Sequence, residues 1–371
     1  MTKRAITLAG GGPAAGLHIG VLEELKKADI TFDVWALSCI GAWVGIVYNQ
    51  TEKDHEVEQT YDFFKNGVFR NDASYSSFPI NTVFGPDLFG NIRAIREFML
   101  DPNNYKNLVL PDEIMNSYKG TMDFLSDPKK WNEGDFNQWL LNHVMAPNPF
   151  LRYMMSMMYL SGMTGCARIY YPESSFMNGI QFKEIYKPDK PYIYHNAWNL
   201  SRQKLEMFSN AEDQYKPISA GSLCACSALP FIEGTVDLDG ETYCEGALID
   251  TVNFESLLQD HPDLDEIWIS RIVDAKQVRR PKNLTDALSN LCQLFAATVG
   301  EDDIKLFKYH LREEGKWNGT VVEIRVDSQI NFEWSHKNLD QGRERGKMAA
   351  TESVHRYRKN IAAKTADLLI I

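Results

Sequence analysis

The sequence predicts an α/β fold, a parallel sheet with covering helices, and three observations point to it. The first fifty residues alternate strand, helix, strand, helix, the βαβ pattern that sets parallel strands side by side under crossover helices. Strand-type runs return after residue 190, at "PYIYHNAWNL", "KLEMFSN", "EIWISRIV" and "TVVEIRV". Between these regions, residues 51–165 carry charged and aromatic helical stretches broken by Pro- and Asn-rich turns, the mark of a helical insertion.

The elements follow in order. "RAITLAG" is a short apolar run of β type, and "GGP" is a glycine turn. "AAGLHIGVLEELKKADI" spaces Leu17, Val21, Leu22 and Leu25 as one face of a helix, with charges on the other. "TFDVWALS" reads as a second buried strand, and "IGAWVGIVYNQ" as a helix that is apolar on most sides. The insertion includes "DHEVEQTYDFFKNGVF" and "AIREFML"; because no flexible linker flanks it, it reads as part of one domain over 1–371. The last segment, 335–371, reads as a closing helix or two. At about 150 residues per domain, 371 residues allow one large domain or two ordinary ones.

Fifty acidic against 39 basic residues give a formal net charge of -11. That excess argues against a nucleic-acid partner, which needs a basic surface, and against attraction to anionic membranes. No run approaches the 18 or so apolar residues of a membrane span, and the apolar stretch at the N-terminus is cut by glycines, too short for a signal peptide. The expected compartment is the cytoplasm. The cysteines Cys39, Cys166, Cys224, Cys226, Cys244 and Cys292 contain no C-x-x-C, so neither a disulfide framework nor a zinc site is indicated; no metal or cofactor is expected.

Two stretches carry candidate chemistry. In "LAGGGPAAGLHIGVL" the glycines Gly10, Gly11 and Gly12 turn sharply from strand to helix, leaving backbone N–H groups at the positive end of the helix, suited to an anion. The anion is a phosphate or the oxyanion of an acyl intermediate; the loop has neither the G-x-G-x-x-G nor the Gly-Lys-Ser/Thr pattern of nucleotide sites. In "VWALSCIGAWVG" the G-x-S-x-G frame of a nucleophile elbow, set on Gly41, puts Cys39 at the nucleophile position, with Ser38 pointing away or capping the helix. A thiol there sits at a helix N-terminus, where the dipole favours a thiolate. A companion base is offered by "DLDGETYCEGALID", where Glu245 and Gly246 follow a hairpin-like pair.

Together, "GGGPAAGLHIGVLEEL", "SCIGAWVG", "PYIYHNAWNLSRQKLEMFSN", "SLCACSALPFI" and "DLDGETYCEGALID" resemble, in order, segments of the patatin-like phospholipase family over roughly residues 4–255. The resemblance implies a three-layer α/β/α fold with a mainly parallel central sheet, and lipid acyl hydrolysis by a serine and aspartate dyad. Carried over by position, the serine becomes Cys39 and the aspartate Glu245; the family's basic residue falls on Ala14, its next glycine on Ala15, and the first elbow glycine on Leu37.

The expected chemistry is attack of Cys39 on an acyl ester or thioester, with Gly11 and Gly12 holding the oxyanion, Glu245 moving the proton, and water or another acceptor taking the acyl group. The alternative is an inactive relative that binds a lipid or acyl ligand. An ionised Glu245 raises the thiol pKa, which opposes the dyad. Two further features are weighed as structural: the methionines of "FLRYMMSMMYLSGM" read as core packing before a pocket for an acyl chain, and His18 as a satisfied histidine before a supporting group.

Overall fold

Apolar side chains along the central strands alternate between two hydrophobic layers. In β1 (Arg4–Leu8) and β2 (Val34–Leu37), Ile6, Leu8, Trp35 and Leu37 enter one core cluster, whereas Ala5, Val34 and Ala36 enter another. Successive Cβ atoms of a strand point to opposite faces, so a sheet apolar on both must be covered twice. The three-layer α/β/α arrangement follows. The computed structural model describes residues 2–79, 83–106, 108–169, 176–212, 214–254, 256–314, 317–363 and 369–371.

The chain continues from β1 through α1 (Ala15–Lys27), β2, α2 (Ile40–Gln50), α3 (Glu56–Gly67), α4 (Ala73–Ser76) and β3 (Phe84–Pro86). A helical stretch, α5 (Leu88–Leu100), α6 (Pro111–Ser126), α7 (Glu133–Trp139) and α8 (Pro149–Leu160), leads to β4 (Gly165–Ile169). Then come β5 (Tyr192–Asn199), β6 (Lys204–Ser209), β7 (Lys216–Pro217), α9 (Ala220–Cys226), β8 (Phe231–Glu233), β9 (Val236–Leu238) and β10 (Glu241–Glu245). The chain ends with α10 (Leu257–Asp260), β11 (Glu266–Arg271), α11 (Leu284–Glu314), β12 (Thr320–Arg325), α12 (His336–Ala363) and β13 (Leu369–Ile370).

Strands β13, β12, β11, β1, β2 and β5 lie side by side and parallel; β10 and β9 are antiparallel additions, and β6 runs antiparallel along β5. One face is covered by α1, α2, α9 and α12, whose Leu17, Ile46, Leu223 and Leu339 join its cluster; the other by α10 and the second half of α11, through Leu257, Ile304 and Leu311. The closing segment, expected as helix, is α12 followed by the short edge strand β13.

Strand β5 positions the site. Its first half pairs in parallel with β2, Leu37 opposite His195, and its second half pairs antiparallel with β10, Glu245 opposite Ala197. Because β6 takes the other edge of β5, β2 and β10 share one edge and meet end to end by their C-termini. Two residues of strand, about 7 Å, separate the two registers.

The chain divides into two compact units, Met1–Pro86 with Ala167–Ile371, and Asp87–Cys166. The insertion expected over 51–165 is divided accordingly, since α3 packs on α1 and α2 in the larger unit. In the smaller unit Phe124 stacks on Trp139 with ring centroids 5.0 Å apart, and Phe98 packs against Tyr153. Helix α8 buries none of its residues, so Met154, Met155 and Met158 are not core. A helix that is apolar in sequence packs only where neighbours cover it, and among the described residues the Tyr153 ring of α8 meets Phe98 and Tyr105 while these methionines stay exposed.

Candidate active site

The turn after β2 forces its first helical partner close to β1. A Cβ on Gly41 would lie 2.1 Å from the Leu8 carbonyl oxygen, so only glycine lets α2 start there. Leu37, where the family carries glycine, fits because Gly45 leaves room beneath it: a Cβ on Gly45 would lie 2.6 Å from the Leu37 methyls. Ala14 and Ala15 are likewise buried in the core. Cys39 sits at the apex with φ 47° and ψ −123°, a conformation that costs a non-glycine residue on the order of 1–3 kcal/mol and persists only where its surroundings impose it.

Neighbours hold this turn in place. The Cys39 N–H donates to Cys226 Sγ at 3.1 Å, and the Cys39 carbonyl accepts from the Ala42 N–H at 2.9 Å. Ser38 is fully buried; its hydroxyl donates to Asn196 Oδ1 at 3.0 Å and contacts the Asp250 carbonyl at 3.3 Å, while Asn196 Nδ2 donates to the same carbonyl at 2.8 Å. It neither caps α2 nor lines the cavity. Gly246 packs on β5, where a Cβ would meet Asn196 Oδ1 at 2.7 Å.

The structure brings Cys39 and Glu245 together. Cys39 and the buried Glu245 line one cavity of about 680 Å³, near enough for the carboxylate charge to act on the thiol. Burial pushes the Glu245 carboxyl up to about 7, and the neighbouring Cys39 thiol only partly offsets it. Burial, and then the Glu245 charge, push the Cys39 thiol well above its ordinary range. The helix dipole therefore does not leave a resting thiolate.

Of the three loop glycines lining the cavity, Gly10 donates its N–H to Thr251, at 3.2 Å to the carbonyl and 3.3 Å to the hydroxyl. The N–H groups of Gly11 and Gly12 have no hydrogen-bond partner among the described residues, and the following Pro13 has none to donate. His18 lies outside the cavity: its Nε2–H donates to the Ala9 carbonyl at 2.8 Å and its Nδ1 accepts from Ser270 at 2.8 Å. Burial lowers its pKa to about 4, so it stays neutral.

Sequence reading missed two parts of the site. The first is α11, whose Leu288, Leu291, Cys292, Phe295, Ala296 and Val299 form one wall. Their spacing of three and four residues is the signal that would have found it. The second is Glu233, buried in the wall formed by β8, whose signal is an acid inside the apolar run "LPFIEG". Five cysteines, Cys39, Cys224, Cys226, Cys244 and Cys292, are free; the Cys166 side chain lies outside the described residues. No helix among the described residues is long and apolar enough to cross a membrane.

The family model described as patatin-like phospholipase matches residues 6–258, more than half of the chain. Among solved structures, the chain is similar to VipD from Legionella pneumophila at 11% identity and a TM-score of 0.40, over 96% of this chain and 67% of that one. It is also similar to human GIVD cytosolic phospholipase A2 at 12% identity and a TM-score of 0.34, over 97% of this chain and 58% of that one. No curated protein matches the sequence.

Proposed function

The chain belongs to the patatin-like phospholipase family, and on that premise we propose that it cleaves or transfers the acyl group of a lipid-like ester or thioester through an acyl-cysteine intermediate at Cys39. The observation that carries this reading is a strained thiol and a buried carboxyl in the wall of one apolar cavity. The volume, about 680 Å³, lies within the roughly 300–1,000 Å³ of small-molecule sites, and Trp43, Leu229, Phe295 and Phe332 offer an acyl chain apolar surface.

The electrostatics favour general-base catalysis over a preformed thiolate. At neutral pH a good fraction of Glu245 is ionised and the thiol is not, so Glu245 takes the proton as sulfur attacks the carbonyl carbon. The Gly11 and Gly12 N–H groups receive the developing oxyanion, and the C–O or C–S bond to the leaving group breaks. Water or another acceptor then takes the acyl group; a thioester also reacts with amines and thiols, so transfer and hydrolysis share this intermediate. Ser38, Asn196 and Gly246 act as positioning residues.

Intact-protein mass spectrometry with an activated acyl ester tests the reading. An adduct of the acyl mass that is lost in Cys39→Ala and kept in Ser38→Ala is the expected result. No adduct, with Cys39 no more reactive than a free cysteine, would overturn it in favour of a protein that only binds an acyl ligand.

A further inference from the structure

A second carboxyl shares the cavity with Glu245. Glu233 ends β8, is nine-tenths buried, and has no hydrogen-bond or ion-pair partner among the described residues. An acid with no protein partner in the wall of an apolar cavity calls for an explanation in the chemistry of that cavity. The backbone places it beside the dyad. The Glu245 N–H donates to the Ala228 carbonyl at 3.0 Å, and the Glu233 N–H donates to the Leu229 carbonyl at 2.8 Å. Residues 228 and 229 are consecutive, about 3.8 Å apart at Cα, so both glutamates hang from adjacent points of one turn. That turn passes through Pro230 and Phe231, and Phe231 is itself held at φ 73°.

From this placement we infer that Glu233 is a second catalytic group, the acid that protonates the departing alkoxide while Glu245 deprotonates the thiol. The inference rests on the acyl-cysteine reading above. The two carboxyls also differ in the way such a division of labour needs. Burial, and then the charge on Glu245, push the Glu233 carboxyl well above its ordinary range, so an ionised Glu245 favours a protonated Glu233. Two like groups whose environments split their titrations are the usual source of one acid and one base in a single site.

The proton balance closes over a full turnover. In acylation the thiol proton passes to Glu245, the S–C bond forms, the C–O bond breaks, and the Glu233 proton goes to the leaving oxygen. The site is then left with a neutral Glu245 and an ionised Glu233. In deacylation Glu233 takes a proton from the attacking water, the C–S bond breaks, and Glu245 returns its proton to sulfur. Each glutamate ends as it began, and the net reaction is ester plus water to acid plus alcohol.

Leaving-group dependence separates this role from a structural one. A p-nitrophenyl ester departs without a proton, whereas an alkyl ester of the same acyl chain does not. Single-turnover acylation of the full chain is followed by intact mass with both esters, for the wild type, Glu233→Gln and Glu245→Gln. In Glu233→Gln the ratio of aryl to alkyl rate is expected to rise about 100-fold over wild type, within the range of general-acid contributions. Misfolded protein scales both rates equally and leaves the ratio unmoved. In Glu245→Gln both rates fall together, because the base acts on the nucleophile whatever leaves. An unchanged ratio in Glu233→Gln, beside a wild type that acylates normally, would overturn the acid role and leave the dyad standing. A wild type that acylates with neither ester would overturn the dyad and the acid role together.

Discussion

Glu245→Gln should make the protein's stability less sensitive to pH, by an amount that follows from burial. The folded-state carboxyl titrates at about 7 and the unfolded one near 4.5. Below pH 4.5 the group is protonated in both states and its contribution to stability is fully present. Between pH 4.5 and 7 the unfolded chain ionises first, so stability falls as pH rises, and above 7 the loss levels off. A shift of two to three units at 1.36 kcal/mol each gives a loss of about 3 kcal/mol. Glutamine keeps the shape and cannot titrate, and the groups that do not feel the Glu245 charge, as Glu233 and Cys39 do, are shared by the two proteins. Urea denaturation of both proteins at intervals from pH 4 to 9 isolates the effect. The stability of the variant relative to wild type should climb by about 3 kcal/mol between pH 4 and 8. A flat difference across that range would refute the claim that Glu245 is held in an environment hostile to its charge, and with it the matched base.

Two further perturbations test the turn and the cavity. Gly41→Ala drives a methyl against the Leu8 carbonyl and should cost roughly 1–3 kcal/mol, read as a lower midpoint in thermal unfolding, with a larger proportional loss of acylation because α2 starts at the nucleophile. Ala296→Phe fills part of the cavity from α11 and should shift acyl preference toward shorter chains, losing about 1 kcal/mol in kcat/KM for each methylene excluded; equal loss for short and long esters would remove this cavity as the acyl site.

The elbow was legible in sequence because its cause is local. A run of four to five apolar residues, a glycine three residues past the strand, and a helix with no polar face specify the turn at Cys39 without knowledge of anything distant. The glycine loop and the hairpin before Glu245 were legible for the same reason; Asp239 and Gly240 both take the positive φ that a two-residue hairpin turn demands. Glu233 was not, because burial of an acid is decided by what packs around it, and here that is the distant α11 and the Cys39 turn. Gly10 was read with its neighbours as an oxyanion donor, and only the fold shows its N–H given to Thr251, 241 residues away in sequence. The methionine stripe of α8 failed for the converse reason, since helical periodicity shows which face is apolar and not whether anything covers it.

The shared edge of β5 also bears on when the site can exist at all. The thiol and its carboxylate stand 206 residues apart in the chain, and neither the β2 turn nor the β10 hairpin carries information about the other. On the ribosome the loop glycines emerge first and the thiol soon after, with nothing to take its proton until Glu245 has left the tunnel and β10 has docked end-on to β2. Strand register makes that docking all or nothing, because a slip of one residue on β5 turns the Glu245 side chain to the opposite face. On the proposed acyl-cysteine mechanism, a half-made or misregistered chain therefore carries a nucleophile without its base, and topology alone holds the two apart.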